Sequence, residues 1–475
     1  MSQIRGLPRA AGSADLPRPQ RIVSIALAPR FPTQGAPELR TQRSPVAQSK
    51  GQIAQRILVV SQFFAPESAA PAARFHDLGK RWVAQGRQVT VLTGLPNFPS
   101  GRVHEGYRDM LFGRETLDGI EVLRSWLFTS PQGGALRKGA GYLSWAASAS
   151  ARAAWAGLLA QIRPDVVIAT LPPPTVGLPA LVAAGIARAP LVVDLRDIWP
   201  EAVVASGKVK SPLITHSLEG LARTLYRTAT AVVVVSEGKQ RRMAELGVPQ
   251  AKLATIPNGI DLGVAENLQP VDDLWRSWGV EPHDFKILYA GIHNPPQGLD
   301  VLLDAATQLR DQRPDLWPKL RLVLVGSGAV KEQLRQRAQQ SGLDRVVFAP
   351  EQPRAVIPSL LASAHCSVVP LKKRKDTHTV PSKIFESLGS GRPLVASLEG
   401  EAAEIARASG GALVTPPEDG AALAAALGQL IDDPQRASAM GAAGKAFVVQ
   451  HYSRDRLAQR FLDVLDAAVQ GKGPP

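Results

Sequence analysis

From Arg56 onward the chain repeats one hydrophobic theme, a short run of Val, Ile and Leu followed by a longer stretch with helical spacing. RILVVS (56–61) leads into ARFHDLGKRWVAQG, and QVTVLT (88–93), DVVIAT (165–170), PLVVDL (190–195) and AVVVVS (231–236) follow. Runs that are apolar at nearly every position predict strands buried on both faces, as in a parallel sheet covered by helices. An interval of turn formers, IPNGIDLGVAENLQP (256–270), interrupts the theme. It then restarts with KILYAG (286–291), RLVLVG (321–326), RVVFAP (345–350), CSVVPL (366–371) and PLVASL (393–398).

The alternation predicts an α/β chain of two Rossmann-like, doubly wound domains, facing across a cleft where the C-terminal strand ends meet. The expected boundaries are a tail over 1–55, an N-terminal domain over 56–255, a hinge and linker over 256–280 and a second domain over 281–450. A closing helix and tail fill 451–475, with SRDRLAQRFLDVLDAAV free to pack on either domain. A length of 475 residues suits two cores better than one.

The formal charge of +14 is unevenly spread. Residues 1–56 hold nine basic and two acidic residues, half of the excess. This segment is rich in Pro, Gln, Ser and Ala and reads as disordered, with a run, VSIALA, too short for a signal peptide. Charge alone would draw such a tail to anionic lipid or nucleic acid, although nucleic acid is not an expected partner of the fold. The single cysteine, Cys366, excludes an intrachain disulfide and lies in an apolar run that predicts a buried thiol. The eight histidines are scattered without ligand spacing, so no metal site is expected. No run of 18 apolar residues predicts a membrane span.

The stretch HTVPSKIFESLGSGRPLVAS (378–397) predicts a short helix, opened by Pro381 in its first turn and closed by Gly389 and Gly391. Glu386 sits at its centre. Either the carboxylate pairs with Lys383 at i, i+3 on a wet face, or it points into a site.

The order of these motifs resembles a glycosyltransferase of the GT-B fold, retaining family four, over roughly residues 56–468. RILVVSQFFAPE, VVDLRDIWPE (192–201), VVVVSEG (232–238), IPNGID (256–261), LVGSG (324–328) and PSKIFESLGSGRPLVAS carry the resemblance. LPNFPSGRVHEGYR (95–108) and DLRDIWPE are similar to bacterial O-antigen and capsule transferases of N-acetyl-L-fucosamine. The resemblance implies a UDP-sugar donor bound to the C-terminal half, and a polyprenyl-linked or glycan acceptor bound to the N-terminal half. Transfer would proceed with retention at the cytoplasmic face of a bacterial inner membrane. No cofactor and no metal are implied, and the chain has no Asp-x-Asp to hold one.

Within that resemblance Glu386 accepts the ribose hydroxyls, while Pro381, Ser382 and Lys383 present the helix N-terminus to the diphosphate. Gly291, Gly326 and Gly328 close strand-end turns where a nucleotide approaches backbone, and Phe348, Ala349 and Pro350 occupy the strand end that holds the base by backbone groups, a core Phe being the alternative. Arg196 and Asp197 replace a His-Asp pair: the arginine contacts phosphate but cannot serve as a base, and the aspartate bonds the acceptor. The alternative for this pair is a structural ion pair at the helix Trp199-Pro200-Glu201, and Glu201 is a further candidate. In the loop SQFFAPESAAPAAR alanines replace the glycine that relatives carry near the phosphates, and Glu67 and Arg74 are the polar groups left, with a local structural role equally open. IPNGID is expected to shape the hinge without direct contact.

The departures are specific. His378 occupies the position of a frequent first glutamate, and Ile292 and Gln297 those of a phosphate-binding Arg and Lys. Lys372, Lys373, Arg374, Lys375 and Lys383 are the candidate replacements, Lys383 first. The missing groups also motivate a second reading, a catalytically weak scaffold that binds nucleotide or glycan; a sugar-nucleotide epimerase fits the motif order less well. Residues 134–162 combine Arg137, Lys138 and Arg152 with Leu136, Tyr142, Leu143, Trp145 and Trp155. They read equally as a helix packed on the sheet or as an interfacial segment on a membrane.

Overall fold

A computed structural model describes residues 53–475 apart from 68, 132–133, 200, 202–211, 264–267 and 374–377. The basic tail, Arg374 and Lys375 thus lie outside the described residues.

The first sheet contains β1 (Arg56–Val60), β2 (Gln88–Gly94), β3 (Phe112–Leu117), β4 (Ile120–Ser125) and β5 (Val166–Leu171). It continues with β6 (Leu191–Leu195), β7 (Ala231–Val234) and β8 (Leu253–Thr255), in the order β3-β4-β2-β1-β5-β6-β7-β8. Every neighbouring pair is parallel except β3 with β4. β1 is central: Val59 lies beside Val91 on one side and Ile168 on the other. Its residues Ile57 to Val60 are buried, alternating between the cores on the two faces of the sheet.

The second sheet contains β9 (Phe285–Ala290), β10 (Leu320–Val325), β11 (Val346–Ala349), β12 (Cys366–Pro370), β13 (Leu394–Ser397) and β14 (Ala412–Thr415). Its order, β11-β10-β9-β12-β13-β14, is all parallel and places the topological switch between β9 and β12. Ligands of such sheets bind outside the carboxyl ends of the strands at that switch. Cys366 is buried in β12, as its apolar run predicts.

The hairpin β3–β4 answers to a signal the apolar runs did not carry. Asp118-Gly119 joins the strands, both residues at positive φ (50° and 79°), the chemistry of a two-residue turn. The short strands β8 and β14 were not expected either.

The closing helix Arg454–Val469 packs on the N-terminal domain, against α1 (Ala70–Ala84). Phe461 meets Phe75 and Trp82, and the Trp82 indole N–H donates to the Ala458 carbonyl at 3.1 Å. The chain therefore crosses between domains twice, and the crossings touch. Ile260 N–H donates to the Tyr452 carbonyl and Arg454 N–H to the Ile260 carbonyl, both at 2.9 Å. Gly259 permits this approach, since a Cβ there would collide with the Tyr452 carbonyl and Leu457.

Candidate active site

The helix Lys383–Gly389 buries Ile384, Phe385 and Leu388 in the core of the second domain. Three buried positions on one face leave Glu386 on another, and that face looks into the cleft. A cavity of about 240 Å³ is lined by Ser382 and Glu386 from this side and by Arg74, Arg196 and Asn258 from the other. Arg354 and Arg454 also line it. A second cavity of about 720 Å³ on the side of the C-terminal domain shares Glu386, Arg354 and Arg454.

The pairing of Glu386 with Lys383 is not formed. The Lys383 ammonium donates to the Tyr289 hydroxyl at 2.7 Å and to Gln297 Oε1 at 2.8 Å, and lies 4.4 Å from the Tyr289 ring centroid. Burial lowers its pKa to about 8, opposed by the charge of Glu386. The Glu386 carboxylate makes no hydrogen bond or ion pair among the described residues. It is an acceptor without a donor, facing a cavity.

Arg196 is its complement. No described carboxylate pairs with its guanidinium, and its Nε is buried without a partner. Burial lowers its pKa, with the charge of Arg74 acting in the same direction. Arg74 itself is committed: it pairs with buried Asp194 at 3.3 Å and donates to the carbonyls of Ile256 (2.9 Å) and Pro257 (3.1 Å) and to Asn258 Oδ1 (3.3 Å). The first-domain helix is thereby tied to the linker, and the linker residues 256–259 line the cleft. IPNGID thus shapes the hinge, as expected of it, and also forms part of the cleft wall.

Other expected site residues lie elsewhere. Asp197 is exposed, 3.4 Å from Lys239 Nζ, and does not line the cavity with Arg196; the two form no ion pair. Glu201 pairs with Arg242 at 2.6 Å on the surface. Glu67 is buried and accepts the N–H groups of Phe64, Asn97 and Phe98, a loop-bracing role; burial raises its pKa despite these donors. Pro381 precedes the helix, which begins at Lys383, and its carbonyl accepts the Ile384 N–H, so it occupies no first-turn position. The Phe348 side chain packs with the helix Lys331–Gln340, while its neighbour Ala349 takes the other face of β11, so this strand end offers only its backbone to a base.

The glycines divide. Gly326 and Gly328 have φ of 146° and 153°, and side chains there would strike the backbone of Gly291 and His293. Their service is to pack two strand-end turns together. Gly291, at φ 150°, admits the Lys383 ammonium where a Cβ would stand. Of the basic run, Lys372 points to Asp300 at 3.9 Å and Lys373 is exposed, so neither converges on Glu386. The cations that do converge, Arg354 from a turn and Arg454 from the first position of the closing helix, belong to no motif; only the fold brings them together.

His293 was also missed. It is fully buried beside Tyr289, ring centroids 5.6 Å apart, with both ring nitrogens unpartnered. Burial, helped by Lys331 and Lys383, lowers its pKa to about 4, so the ring is neutral at pH 7.

The comparisons agree with this architecture. Residues 69–259 match the family model described as glycosyl transferase 4-like domain, and residues 284–433 the one described as glycosyl transferases group 1. The chain is a glycosyltransferase of the GT-B fold. Among curated relatives, a protein of Escherichia coli named as a colanic acid biosynthesis glycosyl transferase, WcaI, is 27% identical over 351 residues, 72% of this chain and 83% of its own. A GDP-mannose-dependent alpha-(1-6)-phosphatidylinositol monomannoside mannosyltransferase of Mycolicibacterium smegmatis is 28% identical over 261 residues, 52% of this chain and 66% of its own. Among solved structures, Anabaena HepE in complex with UDP and glucose superposes with a TM-score of 0.62 at 22% identity, covering 87% of this chain and 99% of that one. Sucrose-phosphate synthase from Thermosynechococcus elongatus gives 0.63 at 18%, covering 86% and 97%. Both support the fold.

Proposed function

We propose that the protein transfers a sugar, an N-acetylated one by its resemblance to the O-antigen and capsule enzymes, from a UDP-sugar to a lipid-linked or polysaccharide acceptor. The setting is cell-surface glycan synthesis at the cytoplasmic face of the membrane. One observation carries the reading: an unpaired carboxylate, Glu386, and an unpaired guanidinium, Arg196, face one cavity from opposite domains. A nucleoside diphosphate presents both complements, ribose hydroxyls that donate and phosphates that carry charge.

Glu386 accepts the ribose hydroxyls. The phosphates extend past Ser382 toward the Gly291 turn, beneath which the Lys383 ammonium lies. Arg196 meets the anion from the acceptor side, so its contact strengthens as charge grows on the leaving diphosphate. The C–O bond to the diphosphate breaks as the acceptor hydroxyl attacks the same face, and the hydroxyl proton passes to the departing phosphate oxygen. Two domains holding two substrates supply the orientation this step needs. The guanidiniums and Lys383 supply the positive charge, and we read the transfer as metal-independent.

The test is incubation with a panel of UDP- and GDP-sugars and polyprenyl-diphosphate-linked glycans, with and without EDTA. The expected product carries one added sugar, retained at its anomeric centre, from a UDP donor, with EDTA present. A product formed only from GDP-mannose would move this chain toward the mannosyltransferase relatives. Ile292, exposed at the turn where similar proteins are basic, favours the scaffold reading. Nucleotide binding without any product would establish it.

A further inference from the structure

We propose that the helix α2 (Ala135–Leu158) docks the protein on an anionic lipid bilayer, lying in the plane of the interface. The proposal rests on the lipid-linked acceptor reading for its purpose, but its geometry stands alone.

At 24 residues α2 is about 36 Å long. One side is built into the domain, with Trp145, Ala149 and Ala153 buried against the sheet and the neighbouring helix. The opposite side bears Leu136, Leu143, Trp155 and Leu158, which are 85%, 61%, 64% and 75% exposed. The turns between them present Ala140, Ala147 and Ala151, also exposed. These positions recur at three- and four-residue intervals, so they form one stripe along the helix, and no charged residue interrupts it. The outer face of a surface helix is ordinarily polar. Scattered exposed leucines need no explanation, whereas a contiguous apolar row marks an interaction face.

A second apolar row runs beside the first. Ser144, Ser148 and Arg152, spaced four apart on one flank of α2, act as rungs. The Ser144 hydroxyl accepts the Phe128 N–H at 2.8 Å, the Ser148 hydroxyl donates to the Trp126 carbonyl, and Arg152 donates to the Gly113 carbonyl at 2.9 Å. The rungs hold Phe128, Trp126 and Phe112 alongside the helix, each exposed. Arg152 lies over the Phe112 ring, 5.2 Å from its centroid, and so is already engaged.

Charge identifies the occupant. No acidic residue occurs between Glu121 and Asp165, whereas Arg137, Lys138, Arg152 and Arg163 do; Arg124, also in this interval, is buried and paired with Glu115. A second copy paired through the same segment would bring no carboxylate from it to Arg137 and Lys138, which are exposed at the start of α2. Anionic headgroups bring one charge each, and aromatic side chains suit the boundary between headgroup and acyl chain. Among the described residues no helix is long and apolar enough to cross a membrane, so the stripe lies on the surface of the bilayer. Arg137 and Lys138 also line a groove of about 550 Å³ with Phe98, Phe128 and Tyr142. A phosphate-linked lipid rising from the docked bilayer would enter the protein there.

The experiment is flotation of the full chain with vesicles of phosphatidylcholine alone or mixed with phosphatidylglycerol, beside light scattering for mass. Wild type is expected to float with the anionic vesicles, less at high salt. The double variant Leu143→Glu/Trp155→Glu should lose at least tenfold in vesicle affinity while its melting curve and UDP binding are unchanged. Arg137→Glu/Lys138→Glu should weaken binding and flatten its salt dependence. Wild-type binding by the Leu143/Trp155 variant would overturn the proposal and assign attachment to the basic N-terminal segment. Absence of wild-type binding would overturn it too, as would a wild-type dimer that these variants dissociate, which would make the stripe a self-interface. Vesicle binding with no transfer to a lipid-linked glycan would count against the acceptor reading instead.

Discussion

Glu401, at the start of a helix in the C-terminal domain, reaches across the cleft and accepts the backbone N–H of Gly238 at 2.6 Å and that of Glu237 at 2.7 Å. These are first-turn donors of the helix Glu237–Glu245, so one domain supplies a carboxylate to the positive end of the other's helix. Ser236 extends the junction by donating its hydroxyl to the His378 carbonyl at 2.8 Å. A side chain at Gly238 would stand 2.9 Å from Glu401 Oε2 and against the His378 ring, which is why glycine belongs there. His378, in the position of a frequent family glutamate, thus takes part in domain contact.

The latch should set the degree of closure. Glu401→Gln keeps the shape but replaces a charged acceptor with a neutral one, weakening closure by about 2 kcal/mol. Small-angle scattering of the free protein should show a larger radius of gyration for the variant. An unchanged curve would mean that Glu401 does not hold the domains together.

Lys383 titrates inside the working range. Its folded pKa is lowered to about 8 from 10.5, so below pH 8 the ammonium is present in both folded and unfolded chains. Between about 8 and 10.5 the unfolded chain binds more protons, so this group makes stability rise with pH across that window. Nucleotide affinity should move the other way, falling above pH 8 as the cation is lost. Calorimetric titration with UDP from pH 7 to 9.5 checks this, and Lys383→Met should bind more weakly with no such slope.

His293 predicts an acid-side effect of the same origin, burial of a cation. Its folded pKa of about 4 lies below the ordinary 6.5, so the unfolded chain binds more protons between them. This group therefore makes stability fall as pH drops from 6.5 toward 4. His293→Leu replaces a buried ring with two unpartnered nitrogens, so it should be neutral or stabilising, and should flatten that part of the profile. Thermal melts of both proteins between pH 4 and 7 test it.

What the sequence disclosed follows from which signals are local. Ten strands were legible because burial on both faces leaves near-continuous apolar runs, and Glu386 because a short helix frames it between Pro381 and Gly389. The β3–β4 hairpin was missed although Asp118-Gly119 announced a turn. Half of the cleft's cations could not be read: the resemblance marks Arg196 and Arg74, but Arg354 and Arg454 look like ordinary surface arginines until the two sheets face each other. The run 372–375, next to Glu386 in sequence, shows the converse, since Lys372 turns away to Asp300.

Arg196 separates function from stability. With no carboxylate to leave behind, Arg196→Met should change the melting temperature little. It should reduce kcat/KM for transfer by about tenfold to a hundredfold, the worth of a charged hydrogen bond gained on the diphosphate. Arg196→Lys should recover only part, since the two-pronged contact is lost. A stability loss that matches the activity loss would make Arg196 a structural residue.

The most direct measurement is UDP binding by calorimetry to wild type and Glu386→Gln, with GDP as the competing control. The account predicts saturable UDP binding that the substitution weakens by about 1–3 kcal/mol, with the fold intact by circular dichroism. Equal UDP affinity in the two proteins, or none in folded wild type, would contradict the assignment of Glu386 to the donor nucleotide.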